Sequence, residues 1–69
     1  MKTSAPNALN GTVDEVKDGA ANTEVIVDIG DGEKIVAIVT RESARSLGLK
    51  VGDLATALIK APDVILGVE

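Results

Sequence analysis

Several residues of this chain are hydrogen-bond donors whose spacing would let them converge on a small anion. A tetrahedral oxyanion is held well by backbone N–H groups at a helix start, by hydroxyl groups and by one cation. The chain offers four groups of such donors. They are Ser4 and Asn7 near the N-terminus, the loop Gly19, Ala20, Ala21 and Asn22, the pair Thr40 and Ser43, and Lys60 with the backbone N–H of Ala61.

Each group of donors also has a plainer interpretation that involves no ligand. Thr40 is a good helix cap, and Ser43 would then be a surface hydroxyl in the first turn. Lys60 precedes Ala-Pro-Asp and suits a solvated charge. Ser4 and Asn7 could belong to a frayed terminus, and the loop from Gly19 could be a simple connector. Singly, none of the four groups establishes a site.

The residue types in this chain give little support for a catalytic function. The chain has no His and no Cys, so it can form neither a His-assisted serine triad nor a Cys–His pair. The same absence excludes the usual zinc ligands, and we expect no metal site and no cofactor. The carboxylates fall mainly in turns and on solvent faces, and no glycine-rich phosphate loop is present. We therefore expect a protein that is not an enzyme.

Length and composition indicate a single domain over residues 1–69 that needs help to be stable. A chain of 69 residues buries only about 60% of the surface that its unfolded chain exposes, and with no Cys it cannot use disulfides. Yet 45% of its residues are hydrophobic. Self-association is the remaining support, so we expect an obligate homo-oligomer.

Charge and aromatic content exclude further classes of partner. The net charge is −4 and the chain contains no Phe, Trp or Tyr. Nucleic-acid binding requires clustered cations, and single-strand binding also uses aromatic stacking platforms. An acidic surface likewise disfavours anionic membranes. With no apolar signal segment or membrane span, we expect a soluble, cytoplasmic protein.

Hydrophobic patterning predicts five strands and one helix. Strands are expected over residues 9–17, 23–29, 33–39, 54–59 and 64–68, and a helix over 41–47 between the third and fourth strands. A bulge is expected near Asp14-Glu15, and Gly30-Asp31-Gly32 is typical of a tight hairpin turn. The order of elements indicates a mainly β protein, a small five-stranded OB-like barrel with one short helix.

The pattern of short motifs along the chain resembles one family. The motifs are Ser4-Ala5-Pro6-Asn7, Leu9-Asn10-Gly11-Thr12-Val13, Thr40-Arg41-Glu42-Ser43, Leu47-Gly48-Leu49-Lys50-Val51-Gly52-Asp53 and Lys60-Ala61. Together they are similar to the molbindins (Mop proteins), molybdate-binding domains of the TOBE type. The resemblance covers nearly the whole chain, and the combination is more specific than any single motif.

The resemblance implies a function and a set of ligands. It implies an OB-like barrel that assembles as a hexamer, a trimer of dimers, and binds molybdate or tungstate between subunits for intracellular molybdenum storage and homeostasis. The family's anion ligands map onto Ser4, Thr40, Ser43, Lys60 and Ala61, and Asn7 stands in the same N-terminal motif. A second class of site involves the loop Gly19, Ala20, Ala21 and Asn22.

One departure from the family pattern weakens the expected site. Pro6 stands where the family usually has Arg, so both the guanidinium and a backbone N–H are lost. Losing one charged donor costs about 1.5–3 kcal/mol, on the order of ten- to a hundredfold in affinity. Arg41 or Lys2 could compensate. The alternative function is therefore a structural or interaction module that keeps the oligomeric barrel with weak or lost oxyanion affinity.

Overall fold

The computed structural model describes all 69 residues, which form one antiparallel sheet and a short helix. The sheet has four strands in the order β3-β2-β1-β4 and curls into a half-barrel. No helix of the structure is both long and apolar enough to cross a membrane. The elements are β1 (Asn7–Asp18), β2 (Asn22–Gly30), β3 (Glu33–Thr40), α1 (Arg41–Leu47), β4 (Leu54–Ile59) and a single 3₁₀ turn (Ala61–Asp63).

Strand β1 is the long central element on which both halves of the sheet depend. Its first half pairs with β4, from Asn7 opposite Ile59 onward, and its second half pairs with β2. The change of partner occurs at a register shift between Val13 and Glu15, which confirms the expected bulge. A bulge bends a strand and increases its twist. The bend lets one strand serve two halves of a curled sheet.

The hairpin between β2 and β3 turns at Asp31 and Gly32, as the Asp-Gly dipeptide predicts. Both residues have positive φ, 54° and 77°, which a two-residue turn of type I′ requires. Lys34 at the start of β3 donates to Asp14 Oδ2 over 2.6 Å, across the sheet from the bulge. This hydrogen bond and the charge of Asp14 raise the pKa of Lys34.

Helix α1 has the predicted bounds because both of its ends are capped. The Thr40 hydroxyl oxygen accepts a hydrogen bond from the Ser43 N–H, 3.0 Å away. At the other end, Gly48 adopts φ 64° and its N–H donates to the Arg45 carbonyl. A polar N-cap and a left-handed glycine are the usual signals that bound a helix.

The core is small for a chain with so many apolar residues. Val13, Val25 and Val27 form its centre, and only five of the 69 residues are buried. Thr23 is also buried, and its hydroxyl donates to Asp18 Oδ1. On β3, the side chains of Val36 and Ile38 remain 59% and 62% exposed. Within one copy, therefore, only one face of this apolar strand is covered.

The prediction of a fifth strand over residues 64–68 is wrong for the isolated chain. The 3₁₀ turn containing Pro62 ends β4, and the residues after it have no regular structure. Residues 65–69 make no backbone hydrogen bond. Apolar composition favours a strand only where a neighbouring strand supplies hydrogen bonds, and here none does.

Candidate functional site

The hydroxyls of Thr40 and Ser43 lie in a shallow pocket at the start of α1. Thr40, Glu42, Ser43, Ser46 and Leu47 line this space of about 370 Å³, which we call the hydroxyl pocket. The Thr40 hydroxyl donates to Ser43 Oγ, 2.8 Å away, while accepting from the Ser43 N–H. The Ser43 hydroxyl proton is therefore free to point at a ligand. Capping and ligand binding are compatible roles, because Thr40 holds Ser43 in place.

The loop before β2 meets the same helix on another side. Ala20, Ala21, Arg41, Glu42 and Arg45 line a second space of about 400 Å³, the guanidinium pocket. Arg41 is fixed there because its backbone N–H donates to the Ala21 carbonyl, 3.1 Å away. The backbone N–H groups of Ala20 and Ala21 make no hydrogen bond within the chain. This pocket thus offers two backbone donors and two guanidinium groups.

Of the predicted loop residues, Gly19 and Asn22 form the two ends of the turn between β1 and β2. The Gly19 N–H donates to the Asn22 carbonyl, which closes the turn between β1 and β2. A Cβ added to Gly19 would lie 2.9 Å from that carbonyl oxygen. Asn22 pairs with Thr40 across β2 and β3. These two residues place Ala20 and Ala21 beside the helix.

The third donor group lies where β4 ends. Lys60 is exposed, and no carboxylate lies within 4.0 Å of its ammonium group. The Lys60 carbonyl accepts a hydrogen bond from the Asp63 N–H over 2.9 Å in the 3₁₀ turn. The Ala61 N–H makes no hydrogen bond within the chain. Lys60 and Ala61 therefore present one cation and one backbone donor side by side, as the sequence predicts.

The N-terminal residues lie at this same end of the sheet. Asn7 pairs with Ile59, and its side-chain amide donates to the Ile59 carbonyl over 3.2 Å. Asn7 thereby fixes the end of β4 directly before Lys60. Ser4 lies in an exposed bend three residues earlier and makes no hydrogen bond through its hydroxyl. Ser4, Lys60 and Ala61 form what we call the lysine group, with Asn7 as its support.

The hydroxyl pocket and the lysine group do not meet within one copy of the chain. Lys60 follows the residue paired with Asn7 at the start of β1, whereas Thr40 pairs with Asn22 beyond the end of β1. The 12 residues of β1 separate them. A straight strand of this length would span about 36 Å, and the bend at the bulge shortens that distance within a molecule 35 Å long. A site that uses donors from both must take them from different copies.

Four polar residues that line these pockets were not among the predicted ligands: Arg41, Glu42, Arg45 and Ser46. Helical spacing could have identified two of them, because Ser46 lies one turn after Ser43 and Arg45 lies one turn after Arg41. The structure also shows where Arg41 lies, one of the two residues that could replace the donors lost at Pro6. Arg41 lines the guanidinium pocket and not the hydroxyl pocket.

The chemistry available at these places is anion binding by hydrogen bonds and charge. No group of three or more Asp or Glu residues is arranged to hold a metal ion. In the hydroxyl pocket, no hydroxyl donates a hydrogen bond to the Glu42 carboxylate. The hydroxyl pocket offers O–H donors, the guanidinium pocket offers backbone N–H and guanidinium groups, and Lys60 lies apart at the end of β4. Donors of these kinds recognise oxyanions.

Comparison with known proteins gives a consistent picture. The family model for the TOBE domain matches residues 3–66. The chain is 51% identical over 63 residues to the molybdenum-pterin-binding protein MopA of Rhodobacter capsulatus, of which it spans 24%. It is 42% identical over 69 residues to a probable molybdenum-pterin-binding protein of Haemophilus influenzae, and that match covers all of both chains.

A solved structure supports the same relationship at the level of the fold. The cytoplasmic molybdate-binding protein ModG, crystallised with molybdate bound, superimposes with a TM-score of 0.94 and 46% identity. The match covers all of this chain and 49% of the ModG chain. The chain thus spans about half of ModG, about a quarter of MopA and the whole of the Haemophilus relative.

Proposed function

The chain belongs to the TOBE domain family and, within it, to the molybdenum-pterin-binding Mop proteins. From this membership we propose that the protein binds molybdate or tungstate reversibly at interfaces between its own copies. No bond is made or broken in this function. The oxyanion is captured by N–H, hydroxyl and ammonium donors and is released when its free concentration falls.

One observation carries the proposal that the site is shared between copies. The hydroxyl pocket and the lysine group lie at opposite ends of β1, and each is incomplete alone. The hydroxyl pocket contains no cation, and the lysine group is an exposed strand end with no enclosing wall. Joined across an interface, they give Thr40, Ser43, Lys60 and Ala61 one common ligand. Ser4 would add a further hydroxyl.

Surface exposure supports assembly of several copies. Ile65, Leu66 and Val68 are 93%, 89% and 98% exposed, and Val36 and Ile38 leave a second apolar area open. Such surfaces in a small chain are typical of protein–protein contacts. We propose the trimer of dimers expected from the family resemblance, with the guanidinium pocket as a second class of anion site.

A role in storing molybdenum follows from reversible capture by a protein that performs no chemistry. We place the protein in the cytoplasm, the compartment named for the related ModG. Because ligands that bind only the assembled state stabilise it, molybdate should also raise the stability of the oligomer.

Calorimetric titration tests the proposed function. Molybdate and tungstate should give saturable heats at a defined ratio of anion to chain, and sulfate should bind much more weakly. Equal and negligible heats for all three anions would reject the proposal.

Pro6 favours one alternative, a structural or interaction module with weak or lost oxyanion affinity. Pro6 carries no donor where the family usually places an arginine. Replacing Pro6 by Arg discriminates between the two functions. A wild-type protein with no measurable affinity and a P6R variant that binds would identify a degraded site, whereas binding by both proteins would support oxyanion storage.

A further inference from the structure

Glu42 lies between the two anion pockets and lines both of them. It belongs to the hydroxyl pocket with Thr40 and Ser43, and to the guanidinium pocket with Arg41 and Arg45. No other carboxylate lines either pocket. An oxyanion bound in either pocket would therefore lie beside the Glu42 side chain.

The charge of Glu42 is not neutralised by a neighbouring cation. The ion pairs of the chain join Lys17 to Glu15 and Glu24, and Lys34 to Asp14. Neither Arg41 nor Arg45 lies within 4.0 Å of the Glu42 carboxylate, although all three residues line one pocket. An ionised carboxylate only accepts hydrogen bonds, so it has none to give to a fully deprotonated oxyanion. Its contribution to such a ligand is repulsion.

A role in stabilising the helix explains why Glu42 lies in the first turn of α1, but it does not describe the effect of Glu42 on a ligand. A carboxylate in the first turn interacts favourably with the helix dipole and so stabilises α1 modestly.

Resting on the proposed function, we propose that Glu42 is an affinity-limiting residue of the site, whose carboxylate weakens the binding of dianionic oxyanions in both pockets. The single charge of Glu42 acts on both pockets, and it lowers the affinity for the oxyanion enough to allow its release. Removal of that charge should strengthen binding in both places. A residue that served only to stabilise the helix would have no such effect.

The test is calorimetric titration of molybdate into the full chain at constant ionic strength. The proteins are wild type, E42Q, E42D and E33Q. E42Q should bind about tenfold more tightly, the scale expected for one unit charge beside a dianion at a partly solvated site. E42D keeps the charge and should bind like wild type.

E33Q is the matched control, because it removes the same charge from the far end of β3. Thr40 lies seven positions after Glu33 along that strand, about 23 Å at 3.3 Å per residue and well beyond the screening length at physiological salt. Its affinity should equal that of wild type.

The outcomes separate this inference from the proposed function. Binding by wild type with no tightening in E42Q, or equal tightening in E42Q and E33Q, would overturn the role of Glu42 and leave oxyanion binding intact. Absence of binding in both wild type and E42Q at millimolar molybdate would reject the proposed function and the inference together. Circular dichroism on each variant confirms that α1 and the sheet are retained.

Discussion

At the scale of single residues, Lys60 matters most because it combines an unpaired cation with a neighbouring backbone donor. It lies next to the unpaired Ala61 N–H and forms no ion pair. Asn7 holds the strand end that carries it. The hydroxyl pocket has hydroxyl donors and one carboxylate but no positive charge of its own. Lys60 from another copy would supply what that pocket lacks.

Replacing Lys60 by Gln should weaken molybdate binding by about ten- to a hundredfold, because a charge-assisted hydrogen bond to a dianion is lost. Lys50→Gln is the matched control. Lys50 is also exposed and forms no ion pair, but it lies in the turn between α1 and β4. Titration calorimetry compares the two variants. Equal losses in both would show that net charge alone matters and would remove Lys60 from the site.

Residue types in the sequence predicted the donors but not their grouping. Thr40 with Ser43, and Lys60 with Ala61, follow from a cap pattern and from the end of a strand. Their separation along β1 depends on strand pairing that no local motif specifies. Glu42 on the rim of both pockets depends on how the loop Ala20–Ala21 approaches α1. The spacing of residues along the sequence does not predict such long-range contacts.

At the scale of elements, the bend of β1 determines the architecture. Gly11 lies in β1 where the strand approaches β2 most closely. A Cβ at this position would lie 2.5 Å from the Asp28 carbonyl oxygen and 2.7 Å from Val27 Cγ1. The backbone of β2 can approach here only because the residue has no side chain.

Gly11→Ala should therefore destabilise the fold by about 1–3 kcal/mol, the usual cost of overpacking. Chemical denaturation at fixed protein concentration measures the change. Thr12→Ala, at the next position of β1, is the control, since the Thr12 side chain is exposed and makes no hydrogen bond, and its effect should stay within about 0.5 kcal/mol. A G11A protein as stable as wild type would contradict the packing described for β1 and β2.

The elements were predictable to the extent that their signals are local. Helix α1 and strand β4 have the predicted bounds, and the bulge and the Asp-Gly turn occur where expected. The first three strands extend one or two residues beyond the prediction at one or both ends. The segment 64–68 has strand-forming residues but no hydrogen-bonding neighbour within the chain. A strand there would need a hydrogen-bonding neighbour, and sequence patterning does not show whether one is available.

At the scale of the whole molecule, the chain exposes more apolar surface than its small core covers. Five residues are buried, while the apolar side chains after β4 and two on β3 face solvent. A net charge of −4 does not cover such a surface. In the proposed assembly, association between copies would cover it and would also bring the hydroxyl pocket to a lysine group.

Placing a charge on the exposed C-terminal segment should disrupt the assembly. Ile65→Asp should shift the oligomer toward smaller species at micromolar concentration, because an ionised side chain cannot be buried against an apolar neighbour without a partner. Ile65→Val keeps the apolar surface and is the control. Analytical ultracentrifugation distinguishes them. Unchanged sedimentation of the I65D protein would exclude this segment from the interface.

Shared sites and assembly depend on each other, and native mass spectrometry with and without added molybdate tests both at once. Our account predicts an oligomer, a hexamer under the proposed arrangement, that gains a defined number of molybdate ions, with no loaded monomer. A folded monomer at micromolar concentration, or an oligomer whose mass does not change when molybdate is added, would contradict it.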